Sequence, residues 1–437
     1  RECRPGHSCG TMHARSVIAN RMPCRCCRKR LCVCALAAVL LAIAVQLTIL
    51  WLSDLISKWK NAGNVCLAEQ MGTTTPVKNF HPFSWDYSYS RARALLPHME
   101  PEEKYSLMQG RGWVLNDPKK WWYTGNLPPI PRLGIPSQNH QDAAGGVRTM
   151  WSELVGTVTC WPSALAMAAT WDTNLVRLFA MAMADEFAAK GATLVLGPSV
   201  QVHRVARNGR NFEYLSGEDP YLGSRLSEAY VAGVSSRGLM TSVKHWGFNE
   251  QETNRQTESS VVDEKTAWEL YFPPFQAAID AGASAVMCGY NKADGEYACS
   301  SRHMLTTILR ERMGFRGFVQ SDWWATHGTT VDAGLDQEMP GNHVSFNGVF
   351  DTIAILWRPY SVHFAPETLS RISQHLVDTA VIRILAAMYR MDHIGKETCL
   401  PPCCETLFRR NVTGEEHAQL AREAASASVV LLKNSDS

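Results

Sequence analysis

The sequence places a carboxylate, Asp322, directly after the apolar run GFVQS (317–321), and three earlier apolar runs end in polar or charged groups in the same way. TLVLG (193–197) leads to His203, Arg204, Arg207 and Arg210; SRGLMTSV (236–243) runs into Lys244 and His245; SAVMCGY (284–290) carries Met287 and ends in Tyr290. An ionised carboxylate can attack an electron-poor carbon or stabilise positive charge developing there, while amines, guanidinium groups and phenols hold the hydroxyls of a ligand around it. These groups act together only if the fold makes them converge. Helical segments closing on Lys190-Gly191, Ala281-Gly282 and Met313-Gly314 each precede one of the short apolar runs. Helix, Gly stop, strand and polar tip is the rhythm of β/α units, whose strands are buried on both faces and carry ligand chemistry at their carboxyl ends. One such tip reads equally well as an ordinary polar loop; four in succession predict a site on a parallel barrel.

Composition agrees with a large globular chain: 437 residues, 46% hydrophobic and 19% charged. A net charge of +2 gives no reason to expect nucleic acid as a partner. The one basic cluster, Arg21, Arg25, Arg28, Lys29 and Arg30, precedes LCVCALAAVLLAIAVQLTILWLS (31–53), an uncharged run long enough to cross a bilayer as a helix. Basic residues before the span predict a cytosolic amino end and a lumenal or extracellular main domain. A cleaved signal peptide, giving a secreted protein, is the alternative, although its apolar core is usually shorter. The first residue is Arg1, so a fragment or upstream translated sequence is expected, with Met12 and Met22 as candidate starts.

Cys24, Cys26, Cys27, Cys32 and Cys34 beside the basic cluster suit palmitoylation, with chance enrichment as the plain alternative. Beyond the span, Cys66, Cys160, Cys288, Cys299, Cys399, Cys403 and Cys404 fall in a compartment that permits disulfides. Spacing allows Cys288 with Cys299, and Cys399 with either Cys403 or Cys404, without deciding any of them. The sequon at Asn411 fits an exported surface position. No HExxH or paired CxxC spacing occurs, so neither a metal nor another cofactor is expected.

The expected organisation is a cytosolic Cys-rich tail over 1–30, a signal anchor over 31–53, a stalk over 54–90, a catalytic barrel over 91–390 and a linker over 391–412. After it, residues 413–437 read as a helix opened by Thr413 and then a VVLL strand. A strand without partners cannot bury itself, so a second domain is expected beyond this segment.

Five segments in order, LGPSVQVHRVARNGRNFEYLSGEDPYLG, VKHWGFNEQETNR, VMCGYNKADGEYACSS, GFRGFVQSDWWATH and AGLDQEMPG, resemble glycoside hydrolase family 3, the β-glucosidase and β-xylosidase type. The resemblance implies a (β/α)8 TIM-like barrel followed by an α/β sandwich. It implies Asp322 as the catalytic nucleophile and a sugar site built from Asp142, Arg148, Arg210, Lys244, His245, Met287, Tyr290 and Trp323. Ala144 stands where the family's D-x-P-x-G-x-R segment has proline.

Chemistry agrees with these roles. Displacement at an anomeric carbon passes through an oxocarbenium-like state that a carboxylate can stabilise or trap as a glycosyl ester. Keeping Asp322 ionised at a strand end needs nearby positive charge or donors, for which Arg210, Lys244 and His245 are candidates. Trp323 would offer the apolar sugar face a flat surface. Taken singly, Lys244 and His245 could be a structural pair, Trp323 and Met287 core packing, and Arg148 and Glu213 a salt-bridged support. The family's acid/base usually lies in the second domain and stays unassigned here. A β-linked glucoside is the expected substrate, with a β-xyloside and a non-hydrolysing glycan-binding protein as the competing readings.

Overall fold

The computed structural model describes residue 46 and residues 77–111, 122–341, 363–401 and 403–435. The tail, the apolar run 31–53 apart from Gln46, and most of the expected stalk therefore lie outside the described residues. So do residues 342–362. No helix among the described residues is long and apolar enough to cross a membrane.

Among the described residues, nine strands form two sheets. They are β1 (Gly125–Leu127), β2 (Gln138–Asp142), β3 (Leu194–Leu196), β4 (Met240–Trp246), β5 (Ser259–Ser260), β6 (Ala285–Cys288), β7 (Lys292–Ala293), β8 (Glu296–Tyr297) and β9 (Phe318–Ser321). The main sheet runs β1-β2-β3-β4-β6-β9, and β5, β7 and β8 make a small second sheet. From β2 to β9 every pairing in the main sheet is parallel. The four apolar runs are four of these strands. Three single bridges then close the sheet on itself: Gln320 with Gln337, Glu338 with Gln109, and Arg111 with Asn126 of β1. The closed ring corrects one expectation, because β1 runs antiparallel to β2 and to Arg111, so the barrel is not built of parallel strands throughout.

The helices form for local reasons. Helix α2 (Thr173–Ala189) opens with the Asp172 carboxylate accepting from the backbone N–H groups of Asn174 and Leu175, and buries Val176, Phe179, Ala180, Met183 and Phe187 along one face. Helix α3 (Pro220–Ser235) starts with Asp219 as cap and proline in its first turn. After α2 and after α4 (Pro273–Asp280), the chain turns toward β3 and β6 through Gly191 and Gly282, at φ +83° and +93°, a left-handed geometry that costs glycine little.

Four features differ from the sequence reading. Helix α1 (Trp85–Leu95) lies mostly within the stretch read as stalk, with Ser84 capping it. Residues after Arg390 dock on the barrel: Phe408 is fully buried against Tyr123, ring centres 5.1 Å apart, and Cys399 is joined to Cys404. Helix α6 (Glu415–Ala427) is present with Glu415 and Glu416 in its first turn, but its cap is Gly414, not Thr413. Val429–Leu432 is not a strand: its residues are 60–92% exposed, and no strand among the described residues pairs with it.

Candidate active site

Asp142 ends β2, Lys244 and His245 lie near the end of β4, Met287 and Tyr290 sit at and beyond the end of β6, and Asp322 follows β9. Parallel pairing brings these carboxyl ends together. The register of β4 against β6 shifts between Lys244 and Trp246, an irregularity that lets the adjacent Lys244 and His245 both reach the same cluster.

Asp322 is buried, at 7% exposure. Its Oδ1 accepts from the Tyr290 hydroxyl at 2.9 Å and from the backbone N–H of Trp323 at 2.7 Å. Its Oδ2 has no hydrogen-bond partner among the described residues and lies 3.4 Å from His245 Nε2. Burial raises the Asp322 pKa, and Arg210, Lys244, Arg255 and the Trp323 N–H oppose that rise. The carboxylate is thus oriented through one oxygen, with lone pairs of the other left uncommitted.

Arg210 donates to Glu213 and, through Nη2, approaches His245 Nε2 at 3.1 Å. A guanidinium can only donate, so His245 Nε2 accepts and the ring proton belongs on Nδ1. Burial first, then Arg210, Lys244 and Arg255, push the His245 pKa well down, so this imidazole is neutral. His245, a candidate for positive charge or donor beside Asp322, is therefore not a positive charge, and its Nε2 is engaged as an acceptor from Arg210. Arg255 takes that place, and the sequence reading missed it.

Lys244 Nζ stands 3.9 Å from both Asp142 and Glu213, and Arg148 donates to Asp142 at 2.7 Å. A cavity of about 400 Å³ opens here, lined by Asp142, Arg148, Arg210, Glu213, Lys244 and Phe212, with the Gly145–Gly146 backbone along one side. Met287, Tyr290, His245, Asp322 and Trp323 are buried and do not line it. Trp323 lies against Gly125 and donates its indole N–H to the Thr124 carbonyl at 3.1 Å, so its ring packs on β1. Met287 is 1% exposed, in register with Lys244 and Gln320. The structure gathers Asp142, Arg148, Arg210, Lys244, His245, Tyr290 and Asp322 into one connected group. The members that line the cavity, Asp142, Arg148, Arg210 and Lys244 with Glu213, present carboxylate, ammonium and guanidinium groups to one space and suit a ligand with several hydroxyls, while Asp322, His245 and Tyr290 lie buried behind them.

Residues 129–356 match the family description "Glycosyl hydrolase family 3 N terminal domain". The chain belongs to glycoside hydrolase family 3. A beta-glucosidase of Rhizobium radiobacter is 44% identical over 252 residues, covering 56% of this chain and 29% of the relative. Beta-glucosidase cel3A of Pyricularia oryzae is 35% identical over 367 residues, covering 83% of this chain and 46% of the relative. Among solved structures, beta-glucosidase D2-BGL from Chaetomella raphigera superimposes with a TM-score of 0.69 at 33% identity, covering 81% of this chain and 47% of that one. The chain spans less than half the length of these relatives. The ordered motifs that carried the resemblance contribute to this cluster: NGRNFE brings Arg210 and Glu213, the KH pair brings Lys244 and His245, and SDW brings Asp322.

Proposed function

We propose that this chain carries the nucleophile-bearing barrel of a retaining β-glucosidase acting on terminal non-reducing β-D-glucosyl residues. The supporting observation is the state of Asp322: a buried carboxylate with Oδ1 fixed by Tyr290 and the Trp323 N–H, and Oδ2 unpartnered. Oδ2 forms a bond to C1 of the sugar as the bond from C1 to the aglycone oxygen breaks. That oxygen keeps the electron pair and takes a proton from an acid that remains unassigned. Water then attacks C1 as the C1–Oδ2 bond breaks with its electron pair returning to Asp322, and the conjugate base of that same acid takes the water's proton, releasing glucose and restoring both groups. Asp142, Lys244, Arg210 and Arg148 would bind the sugar hydroxyls. Burial strengthens the influence of these charges on the transition state.

The test uses 2,4-dinitrophenyl 2-deoxy-2-fluoro-β-D-glucoside, whose leaving group needs no acid assistance. The expected result is one covalent fluoroglucosyl adduct on the peptide carrying Asp322, absent from Asp322→Asn and slower with the corresponding xyloside. Labelling elsewhere, or undiminished in Asp322→Asn, would reject the reading.

We also propose membrane attachment through residues 31–53, with the barrel on the lumenal or extracellular side. The uncharged run supports it, and the Cys288–Cys299 and Cys399–Cys404 bonds fit an oxidising compartment. Release of the expressed protein from membranes by alkaline carbonate would count against an integral anchor.

A further inference from the structure

Arg255, in the loop after β4, is not among the residues that the sequence assigned to the site. Its guanidinium carbon lies 3.8 Å from the centre of the Tyr290 ring, the phenol whose hydroxyl donates to Asp322 Oδ1. Glu252 fixes it through a contact of 3.1 Å and stands 3.8 Å from Arg210, so one exposed-side carboxylate spaces the two arginines. Arg210, Arg255, Tyr290 and Asp322 come from four different loops. A ring contact this close, from a side chain anchored at its outer edge, limits rotation of the phenol.

We propose that Arg255 is a positioning residue for the nucleophile: stacked on Tyr290, it keeps the phenol hydroxyl aimed at Asp322 Oδ1, and its charge offsets the burial of the carboxylate. This rests on the reading of Asp322 as nucleophile. The charged and titratable groups around Asp322 are Arg210, Lys244, His245, Tyr290 and Arg255, and Arg255 itself faces Glu252. His245 is neutral, so Arg255 is one of three cations acting on the carboxylate. Arg255 does not line the cavity, which separates it from Asp142, Arg148, Arg210 and Lys244, the residues that would bind the sugar.

The test compares the full chain with Arg255→Met, Arg255→Lys, Tyr290→Phe and the Arg255→Met/Tyr290→Phe double variant. The same activated fluoroglucoside is used, and adduct formation is followed by mass as a function of pH. Arg255→Met is expected to slow labelling at saturating reagent by roughly 10- to 100-fold and to move the acidic limb of the profile to higher pH. Arg255→Lys, keeping the charge but losing the planar stack, should leave the limb near its wild-type position while labelling stays slow. Because the stacking part of the role acts through that hydroxyl while the charge acts on the carboxylate directly, Arg255→Met should slow the Tyr290→Phe background by a clearly smaller factor than it slows wild type, and should still move the acidic limb. Wild type labelled at Asp322 with an unmoved limb in Arg255→Met, or with strictly multiplicative rate losses in the double variant, overturns the positioning role alone. Wild type unlabelled at Asp322 overturns both readings.

Discussion

Asp336, in the AGLDQEMPG segment, is fully buried and accepts from three donors: Arg310 at 2.5 Å, Arg383 at 2.8 Å and the backbone N–H of Val319 in β9 at 2.8 Å. Arg310 comes from the helical segment His303–Arg312, and Arg383 from helix α5 (Gln374–Arg390). Asp336→Asn keeps the volume and removes the charge. Burial already pushes the Arg310 pKa down, with Asp336 opposing it, so the variant leaves Arg310 without its counter-charge in a dry site. Removing one partner of a buried ion pair costs about 3–5 kcal/mol, a large fraction of the roughly 5–15 kcal/mol that holds a domain folded. For a folded unit of roughly 300 residues this converts to a fall of about 5–8 °C in melting temperature. Urea titration by far-UV circular dichroism and a thermal melt at neutral pH measure it. A loss below about 1 kcal/mol, with an unchanged urea slope, would refute the claim that the triad ties β9 to its supporting helices.

Two further outcomes follow from charge and burial. Folding raises the Asp322 pKa above its ordinary 3.8, so its contribution to stability is present below that value and is lost as pH rises through the folded pKa. Asp322→Asn should therefore melt higher than wild type near neutrality, with the gap closing near pH 4; a gap independent of pH would contradict this. His417 of α6 lies 2.8 Å from the buried Glu186 of α2, and that hydrogen bond raises its pKa above 6.5 against some desolvation. The pair therefore stabilises the fold below pH 6.5 and weakens as pH rises through the folded value. His417→Gln should flatten the pH dependence of melting over that interval, and an unaltered profile would count against it.

Where strands are apolar and follow a helix with a glycine stop, the sequence was sufficient: β3, β4, β6 and β9 coincide with the four short runs it marked. β2 was invisible to the same reading. Its residues, Gln138, Asn139, His140, Gln141 and Asp142, have no apolar periodicity, and hydrogen bonds take the place of apolar contacts. Asn139 donates to the carbonyls of Gly191 and Cys399, while Gln141 accepts from the backbone and side chain of Thr124. Those partners are remote in sequence, so only the motif resemblance located Asp142. Arg255 was missed for a related reason: an arginine in a polar loop looks like a solvated charge until the fold lays it on Tyr290.

The chain by itself determined the family, the β/α rhythm and the identities of the groups at the strand tips, because these depend on residue type, local periodicity and order along the chain. Tertiary structure decided how those groups act. It reversed β1 and placed Trp323 against Thr124. It left His245 neutral by surrounding it with Arg210, Lys244 and Arg255 in a buried site. It also fixed one oxygen of Asp322 while leaving the other unpartnered. The physical reason is that burial, hydrogen-bond geometry and charge on a side chain depend on neighbours brought together from distant parts of the chain, and sequence spacing carries no direct measure of those distances.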